Sequence, residues 1–150
     1  MAEKIIATNR KAHFNYAILE SFEAGIELRG TEVKSIRNGL ASLNDSFAKA
    51  EGGEIFLYNM HIAPYEFGNI ANVDSVRSRK LLLHKRQIRH LSEEISTKRL
   101  TLVPLKLYFK NGIAKIELGL AKGKQAYDKR EAIKKRESDR ELRRISRHKR

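Results

Sequence analysis

The residues that could carry catalytic chemistry do not form an active-site pattern. Gly119 to Gln125 has the look of a phosphate-binding loop, but three residues rather than four separate its glycines, and Gln125 stands where Ser or Thr would bind magnesium. Glu93 and Glu94 are adjacent on a predicted helix, so their side chains diverge instead of forming an acid–base pair. We therefore expect a protein that is not an enzyme.

Metal-ligating residues are equally sparse. No two of the five histidines have the H-x-x-x-H spacing of a helical zinc site. Cysteine is absent, which excludes both a disulfide framework and a thiolate metal site. The sequence therefore predicts no metal and no cofactor.

Charge is the strongest chemical signal in the chain. The 150 residues hold 31 Lys and Arg against 18 Asp and Glu, a net charge of +13. Such a chain binds polyanions, either nucleic acid or an anionic membrane. No apolar run approaches the roughly 18 residues of a membrane span. Met1 to Asn9 is short and contains Glu3, so it does not read as a secretory signal, and we expect a cytoplasmic protein.

Basic residues lie beside aromatic residues at several places, which favours RNA among the polyanions. Arg10 and Lys11 precede Phe14, and another cluster surrounds Tyr127. Lys and Arg neutralise phosphates, while aromatic rings stack on unpaired bases. The cluster around Tyr127 consists of Lys122, Lys124, Lys129 and Arg130.

The elements that must position these residues are mainly strands. Asn111-Gly112 between Leu100–Lys110 and Ile113–Leu120 predicts a hairpin with a two-residue turn. That turn sets a register in which, from the turn outward, the following residues face each other: Lys110 and Ile113, Phe109 and Ala114, Tyr108 and Lys115, Leu107 and Ile116, Lys106 and Glu117, and Leu105 and Leu118. Pro104 indicates an edge or a bulge.

The rest of the body reads as short strands with two helices. Helices are predicted over Thr31–Asn38, capped by Thr31 and closed by Gly39, and over Lys85–Ile95, and a loop over Asn69–Arg79. The predicted strands are Phe14–Glu20, Ile26–Arg29, Ser46–Ala50 and Glu54–Ala63. Together they predict a mainly β fold, an OB-fold-like closed antiparallel β-barrel with two to three flanking short helices and a basic C-terminal tail.

Charge and apolar residues divide the chain into two parts. Residues 122–150 carry a net charge of +8 and few apolar side chains, against +5 for residues 1–121. A segment of this composition cannot bury a core, so we expect residues 122–150 to be disordered when free and helical on a polyanion. Residues 1–121 are expected to form the RNA-binding barrel.

Several blocks, read in order, resemble the SsrA-binding protein family, also called small protein B. The most diagnostic are Gly30-Thr-Glu-Val-Lys-Ser-Ile-Arg37, and Ala121-Lys-Gly-Lys124 followed by Tyr127-Asp-Lys-Arg130. Asn9-Arg-Lys-Ala12, Phe22-Glu-Ala-Gly25 and Arg79-Lys-Leu-Leu-Leu83 add to them. The resemblance extends over nearly the whole chain from about Ile5, and Gln125 departs from it where the family commonly has Lys.

The resemblance implies an adaptor of trans-translation without catalytic activity. Family members have an OB-type barrel, bind the tRNA-like domain of transfer-messenger RNA and deliver it to stalled bacterial ribosomes. Their tail is unstructured in solution and becomes helical in the empty mRNA channel at the decoding centre, next to small-subunit ribosomal RNA. An RNA footprint the size of one barrel suggests that the protein is a monomer.

The resemblance also assigns roles to single residues. Asn9, Glu23, Leu82 and Lys115 match positions that hold the RNA, and the basic pair Arg10 and Lys11 adjoins them. From the residues alone, Glu23 is better read as a turn residue before Gly25, while Leu82 is equally consistent with the core. The tail residues expected at the decoding centre or during accommodation are Lys122, Lys124, Tyr127, Asp128, Lys129, Arg130, Ile133 and Ile145.

Two other functions stay open on the sequence. A generic ribosomal or single-stranded-RNA-binding OB-fold protein would explain the charge and the fold, though not the ordered blocks. A small RNA-processing enzyme would need a metal or acid–base constellation that the sequence does not contain.

Overall fold

The computed structural model describes residues 3–65 and 74–123, together with residues 136, 137 and 140. The described chain is mainly β, as predicted, and its element order contains three helices, two of which the sequence analysis located. Its elements are β1 (Glu3–Thr8), α1 (Arg10–Asn15), β2 (Tyr16–Ile26), α2 (Gly30–Arg37), β3 (Ala41–Ser42), β4 (Phe47–Glu51), β5 (Glu54–Tyr58), β6 (His61–Ile62), β7 (Arg79–Leu82), α3 (Lys85–Lys98), β8 (Thr101–Lys110) and β9 (Ile113–Gly123). Within these residues no helix is long and apolar enough to cross a membrane.

Antiparallel strand pairs connect most of the sheet into a ring. The order of the seven-stranded sheet is β1-β8-β4-β5-β7-β2-β9, and β8 also pairs with β9. Following the pairs from β8 through β4, β5, β7, β2 and β9 therefore leads back to β8. β1 lies beside the second half of β8, and β3 and β6 form a separate two-stranded sheet.

The predicted β8–β9 hairpin is present, with one correction. Lys110 pairs with Ile113, Tyr108 with Lys115 and Lys106 with Glu117, as the two-residue turn requires, but Pro104 rather than Leu105 pairs with Leu118. A bulge at Pro104–Lys106 shifts the register, because proline has no amide hydrogen to donate to the ladder. Leu105 packs instead in a small cluster with Ala12, Val103 and Ala121.

The prediction of separate strands over Phe14–Glu20 and Ile26–Arg29 is wrong, because β2 is continuous from Tyr16 to Ile26. Glu23 pairs with Glu117, and Gly25 pairs with both Lys115 and Leu82, so neighbours on two sides keep this segment extended. Phe14, predicted in a strand, lies in α1, a helix that the sequence analysis missed. The side chain of Asn9 begins this helix by accepting a hydrogen bond from the Ala12 amide.

The N-terminus of α2 also differs from the prediction. The helix begins at Gly30 and its N-cap is Arg29, not Thr31. The carboxylate of Glu32 accepts a hydrogen bond from the Arg29 amide, and Gly39, at a φ of 74°, follows the helix as predicted. The second predicted helix extends three residues further, to Lys98. Of the predicted loop Asn69–Arg79, residues 69–73 lie outside the described residues and Arg79 begins β7.

A buried ion pair joins α2 to the strands on which it packs. Arg79 is fully buried, and its Nε donates to Glu32 Oε2 at 2.6 Å while its Nη1 donates to the Met60 carbonyl at 2.6 Å. Arg77 donates to the other oxygen of Glu32. Burial raises the pKa of Glu32, but these hydrogen bonds outweigh it and hold the pKa below its ordinary value. The carboxylate is therefore ionised within the hydrophobic core, which consists mainly of Ile36, Ile55, Leu57, Leu81, Leu91, Leu102, Leu107, Ile116 and Leu118.

Candidate nucleic-acid interface

Strand register aligns five residues in one row across the outer face of the sheet. Leu82 of β7 pairs with Gly25 of β2, Gly25 with Lys115 of β9, Lys115 with Tyr108 of β8, and Tyr108 with Ile5 of β1. Side chains opposite one another in a ladder project to the same face of a sheet. The row therefore has an exposed apolar residue at each end, Leu82 (50% exposed) and Ile5 (56%), with a lysine and a tyrosine between them.

Glu23 lies on the same face of β2, two residues before Gly25. Its Oε2 accepts a hydrogen bond of 2.5 Å from the Tyr108 hydroxyl and one of 3.4 Å from Lys110 Nζ. The bond from Tyr108 is the main cause that lowers the pKa of Glu23; burial opposes it, and Lys110 and Lys115 add to it. Burial and the Glu23 carboxylate raise the pKa of Tyr108. Glu23 is thus an anion at neutral pH, and Tyr108 a neutral hydrogen-bond donor.

Three of the RNA-binding residues predicted from the resemblance line one groove. Glu23, Leu82 and Lys115 surround a groove of about 520 Å³ at the beginning of α3. Glycine at position 25 makes room in it, since a Cβ there would lie 3.2 Å from the Cβ of Leu82. The other lining residues include the basic or titratable side chains Lys80, His84 and Lys85.

The structure decides between the alternative interpretations of two of these residues. Glu23 lies within β2, so its interpretation as a turn residue is wrong. Leu82 is half exposed and lies outside the core. The groove also contains a second carboxylate, Glu54, which pairs with Lys80 at 3.7 Å. Its exposed leucine can contact an unpaired base, its cations can contact phosphates, and the Glu23 carboxylate can accept from a hydrogen-bond donor.

Asn9 is placed differently. Its side chain is 4% exposed; Oδ1 accepts from the Ala12 amide at 3.2 Å, and Nδ2 donates to the Pro104 carbonyl at 2.9 Å. Both polar atoms are therefore bonded within the chain. Asn9 therefore sets the start of α1 and connects it to β8, and it lines a groove with Lys11.

Arg10 and Lys11 follow Asn9 on α1 and are exposed. Lys11 Nζ lies 4.0 Å from Asp45 Oδ1 and lines a second groove of about 600 Å³ with Tyr16, Phe47 and Lys49. This groove shares no lining residue with the groove at Glu23. The predicted RNA-binding residues thus belong to two surfaces.

Most of the predicted tail residues lie outside the described residues. Lys122 is described: it is exposed, and it lies on β9 opposite Ala17. Lys124, Tyr127, Asp128, Lys129, Arg130, Ile133 and Ile145 are the ones outside. Further along, the guanidinium carbon of Arg136 lies 5.5 Å from the centre of the Phe14 ring, beside α1.

Tyr108, Lys110 and Ile5 are the members of this interface that the sequence analysis did not single out. The predicted hairpin register places Tyr108 opposite Lys115, so its position beside a predicted RNA-binding residue was a signal in the sequence. No comparable signal existed for Ile5, because its position depends on the long-range pairing of β1 with β8. Among the described residues no group of His, Asp or Glu is arranged to hold a metal ion.

Comparison with known proteins assigns the chain to a family. The family described as SmpB protein matches residues 6–148. The chain is 61% identical over 140 residues to the SsrA-binding protein of Caldicellulosiruptor bescii, which covers 93% of this chain and 89% of that protein. It is 64% identical over 140 residues to the SsrA-binding protein of Carboxydothermus hydrogenoformans, covering 93% and 94% of the two chains.

A solved structure agrees with these relatives. A chain from "tmRNA-SmpB: a journey to the center of the bacterial ribosome" is 55% identical, has a TM-score of 0.68, and covers 84% of this chain and 92% of its own length. The predicted resemblance is thereby confirmed, and the chain belongs to the SmpB family of SsrA-binding proteins.

Proposed function

We propose that this protein is a non-catalytic RNA-binding adaptor of trans-translation that binds the tRNA-like domain of transfer-messenger RNA and brings it to stalled ribosomes. The observation that carries the proposal is the groove in which Glu23, Leu82 and Lys115 meet on one outer face. These residues are far apart in sequence, and the family resemblance assigned all three to the RNA. The names of the relatives, SsrA-binding proteins, support the same partner.

The chemistry of the groove suits a folded RNA rather than a free anion. Lys115 and its basic neighbours attract phosphates, and half-exposed Leu82 offers an apolar surface to an unstacked base. The Glu23 carboxylate repels phosphate and accepts hydrogen bonds from donors such as base amino groups or ribose hydroxyls. The groove therefore favours an RNA of a particular shape, since it combines attraction for the phosphate backbone with the Glu23 carboxylate, while the other carboxylate, Glu54, pairs with Lys80.

The finer architecture follows from the same proposal. The ring of strand pairs is taken as an OB-type barrel formed within residues 1–121, followed by a basic tail of residues 122–150 that becomes helical on the ribosome. The tail, with Lys122, Lys124, Tyr127–Arg130, Ile133 and Ile145, would occupy the empty mRNA channel next to small-subunit ribosomal RNA at the decoding centre. The protein would act as a cytoplasmic monomer, without metal or cofactor.

A gel-shift titration tests the RNA partner. The full chain is titrated against the tRNA-like domain of transfer-messenger RNA, with excess ordinary tRNA, at about physiological salt, where charge-driven binding is weak. We expect binding that survives the competitor. If excess ordinary tRNA displaced the tRNA-like domain, the result would instead favour a generic RNA-binding protein, whose binding the net charge of +13 would explain.

A pair of lysine variants distinguishes the contribution of the groove to RNA binding from the contribution of overall charge. Lys115→Ala is expected to weaken binding to the tRNA-like domain by about tenfold, because it removes a charged contact from the groove. Lys34→Ala removes the same charge from the exposed surface of α2 and is expected to change binding less than twofold. Equal losses from the two variants would contradict the proposed site.

A further inference from the structure

The carboxylate of Glu23 has two oxygens in different environments. Oε2 accepts from both Tyr108 and Lys110, whereas Oε1 accepts no hydrogen bond from any residue that the structure describes. Lys115 and Glu117 on the neighbouring strand β9 also face Glu23, and the other charged or titratable groups of the same groove are Glu54, Lys80, His84 and Lys85. One oxygen is therefore held by the protein, and the other is open to the groove.

Tyr108 is a rigid support for that arrangement. Its side chain is 3% exposed, although it lies on the outer face, where Lys106 Nζ sits 5.1 Å from the ring centre. A buried phenol has few torsions left to change, so its hydroxyl is fixed in position before any ligand arrives. Lys110 is a weaker support, since its bond to Glu23 is longer and its side chain is partly exposed.

We propose that Tyr108 is a positioning residue for RNA recognition: it holds Glu23 through Oε2 so that Oε1 accepts a hydrogen bond from a ribose hydroxyl or base amino group of the bound RNA. The inference rests on the proposed function for its partner. Tyr108 itself needs no contact with the RNA, since it acts through the orientation and charge of Glu23.

This assignment gives the lysines and the carboxylate of the groove different roles in RNA binding. The lysines attract any polynucleotide, while an oriented carboxylate admits only an RNA that presents a donor at that point. Removal of the Tyr108 hydroxyl should therefore weaken specific binding more than non-specific binding. Removal of a lysine should instead weaken specific and non-specific binding alike.

Four full-length proteins test the inference: the wild type, Tyr108→Phe, Glu23→Gln and the double variant. We expect Tyr108→Phe to weaken binding to the tRNA-like domain by about tenfold, the size of a lost hydrogen bond to a charged group. Binding of ordinary tRNA should change less than twofold. In the Glu23→Gln background the same tyrosine substitution should have little further effect, because the group through which it acts is gone.

The pH dependence gives a readout that a purely structural role would not move. Tyr108 lowers the pKa of Glu23, so Tyr108→Phe returns that pKa toward its ordinary value of 4.5. Protonation of Glu23 then begins at a higher pH, and the loss of specific binding on acidification should begin at a higher pH than in the wild type. Glu23→Gln should remove this difference. Circular dichroism at each pH confirms that the proteins are folded.

Tyr58→Phe is the matched control. Tyr58 also forms a hydrogen bond with a glutamate, Glu51, and packs against Phe47 at 5.4 Å between ring centres, but it does not line the groove. We expect its binding and pH profile to match those of the wild type. Unchanged binding by Tyr108→Phe, or independent losses from Tyr108→Phe and Glu23→Gln, would overturn the positioning role. Failure of the wild type to prefer the tRNA-like domain would overturn the proposed function and, with it, the RNA named here.

Discussion

At the scale of single residues, Asn9 and Glu23 show why a match to a family position does not fix a mechanism. Both match positions that hold RNA in the family. In the structure, Glu23 has an open carboxylate oxygen in a groove, whereas both side-chain polar atoms of Asn9 are bonded inside the protein. Under the proposed function, Glu23 would contact the RNA directly, whereas the contacts of Asn9 in the structure fix the start of α1.

Asn9→Ala is expected to lower the free energy of unfolding by about 2 kcal/mol. The helix cap accounts for about 1 kcal/mol, and the buried Pro104 carbonyl left without a donor accounts for the rest. Asn9→Asp keeps the acceptor for Ala12 but loses the donor to Pro104, so it separates the two contributions. Urea denaturation measures the change, and Asn44→Ala, at an exposed turn position, is the control. A loss below 0.5 kcal/mol, within the ordinary range of surface substitutions, would contradict the cap.

At the scale of elements, the β8–β9 hairpin shows which strand pairings the sequence could predict and which it could not. Asn111-Gly112 fixed the pairing of its neighbours, and the pairs nearest the turn were predicted correctly. Pro104 predicted an edge or a bulge, and the structure has the bulge, but the sequence did not indicate which residue would leave the ladder. The continuity of β2 through Gly25 was not predictable, because it depends on β7 and β9, whose pairings span long stretches of chain.

The ion pair of Glu32 with Arg79 was missed for the same reason. The partners are 47 residues apart, and only the folded chain brings α2 onto the start of β7. Glu32 also has a local role in the first turn of α2, where its Oε1 accepts a hydrogen bond from the Arg29 amide. The local sequence pattern shows that an acidic residue lies at the start of a helix, but it does not show that this residue is buried.

Arg79→Met should be among the most destabilising single substitutions in the described chain. It leaves the Glu32 carboxylate buried beside only Arg77 and should cost about 3–5 kcal/mol, the usual result of breaking a buried ion pair. Lys80→Met is the neighbouring control; its partner Glu54 lies 3.7 Å away in a partly exposed pair, and the expected cost is about 0–1 kcal/mol. Thermal or urea unfolding measures both. Similar costs for the two variants would show that the ion pair does not hold α2 in place.

At the scale of the whole molecule, the core and the charge lie in different parts of the chain. Every residue of the described core lies before Lys122, while residues 122–150 carry +8 of the net +13. The family could be predicted from the sequence because the blocks are ordered along it, and the mainly β fold because its strands and turns have local signals. The meeting of Glu23, Leu82 and Lys115 in one groove required the structure.

Removal of residues 125–150 tests this division. The shortened protein is expected to remain folded and to bind the tRNA-like domain within about threefold of the full chain at physiological salt, because the groove is intact. Tagging in a reconstituted translation reaction with a message lacking a stop codon should be abolished. Thermal melting provides the control for folding. A loss of RNA affinity of tenfold or more with an unchanged melting temperature would show that the tail helps to hold the RNA.

The long β2–β9 ladder has a mechanical consequence. Gly25 and Lys115 pair at one end of it, in the groove, and Tyr16 and Gly123 pair at the other, where the described strand ends. Eight residue steps of about 3.3 Å place those ends roughly 26 Å apart. The ladder therefore keeps the groove and the end of the described strand at a fixed separation. Under the proposed function, lengthening the ladder by a residue pair would move the start of the tail relative to an RNA in the groove without altering the residues of the groove.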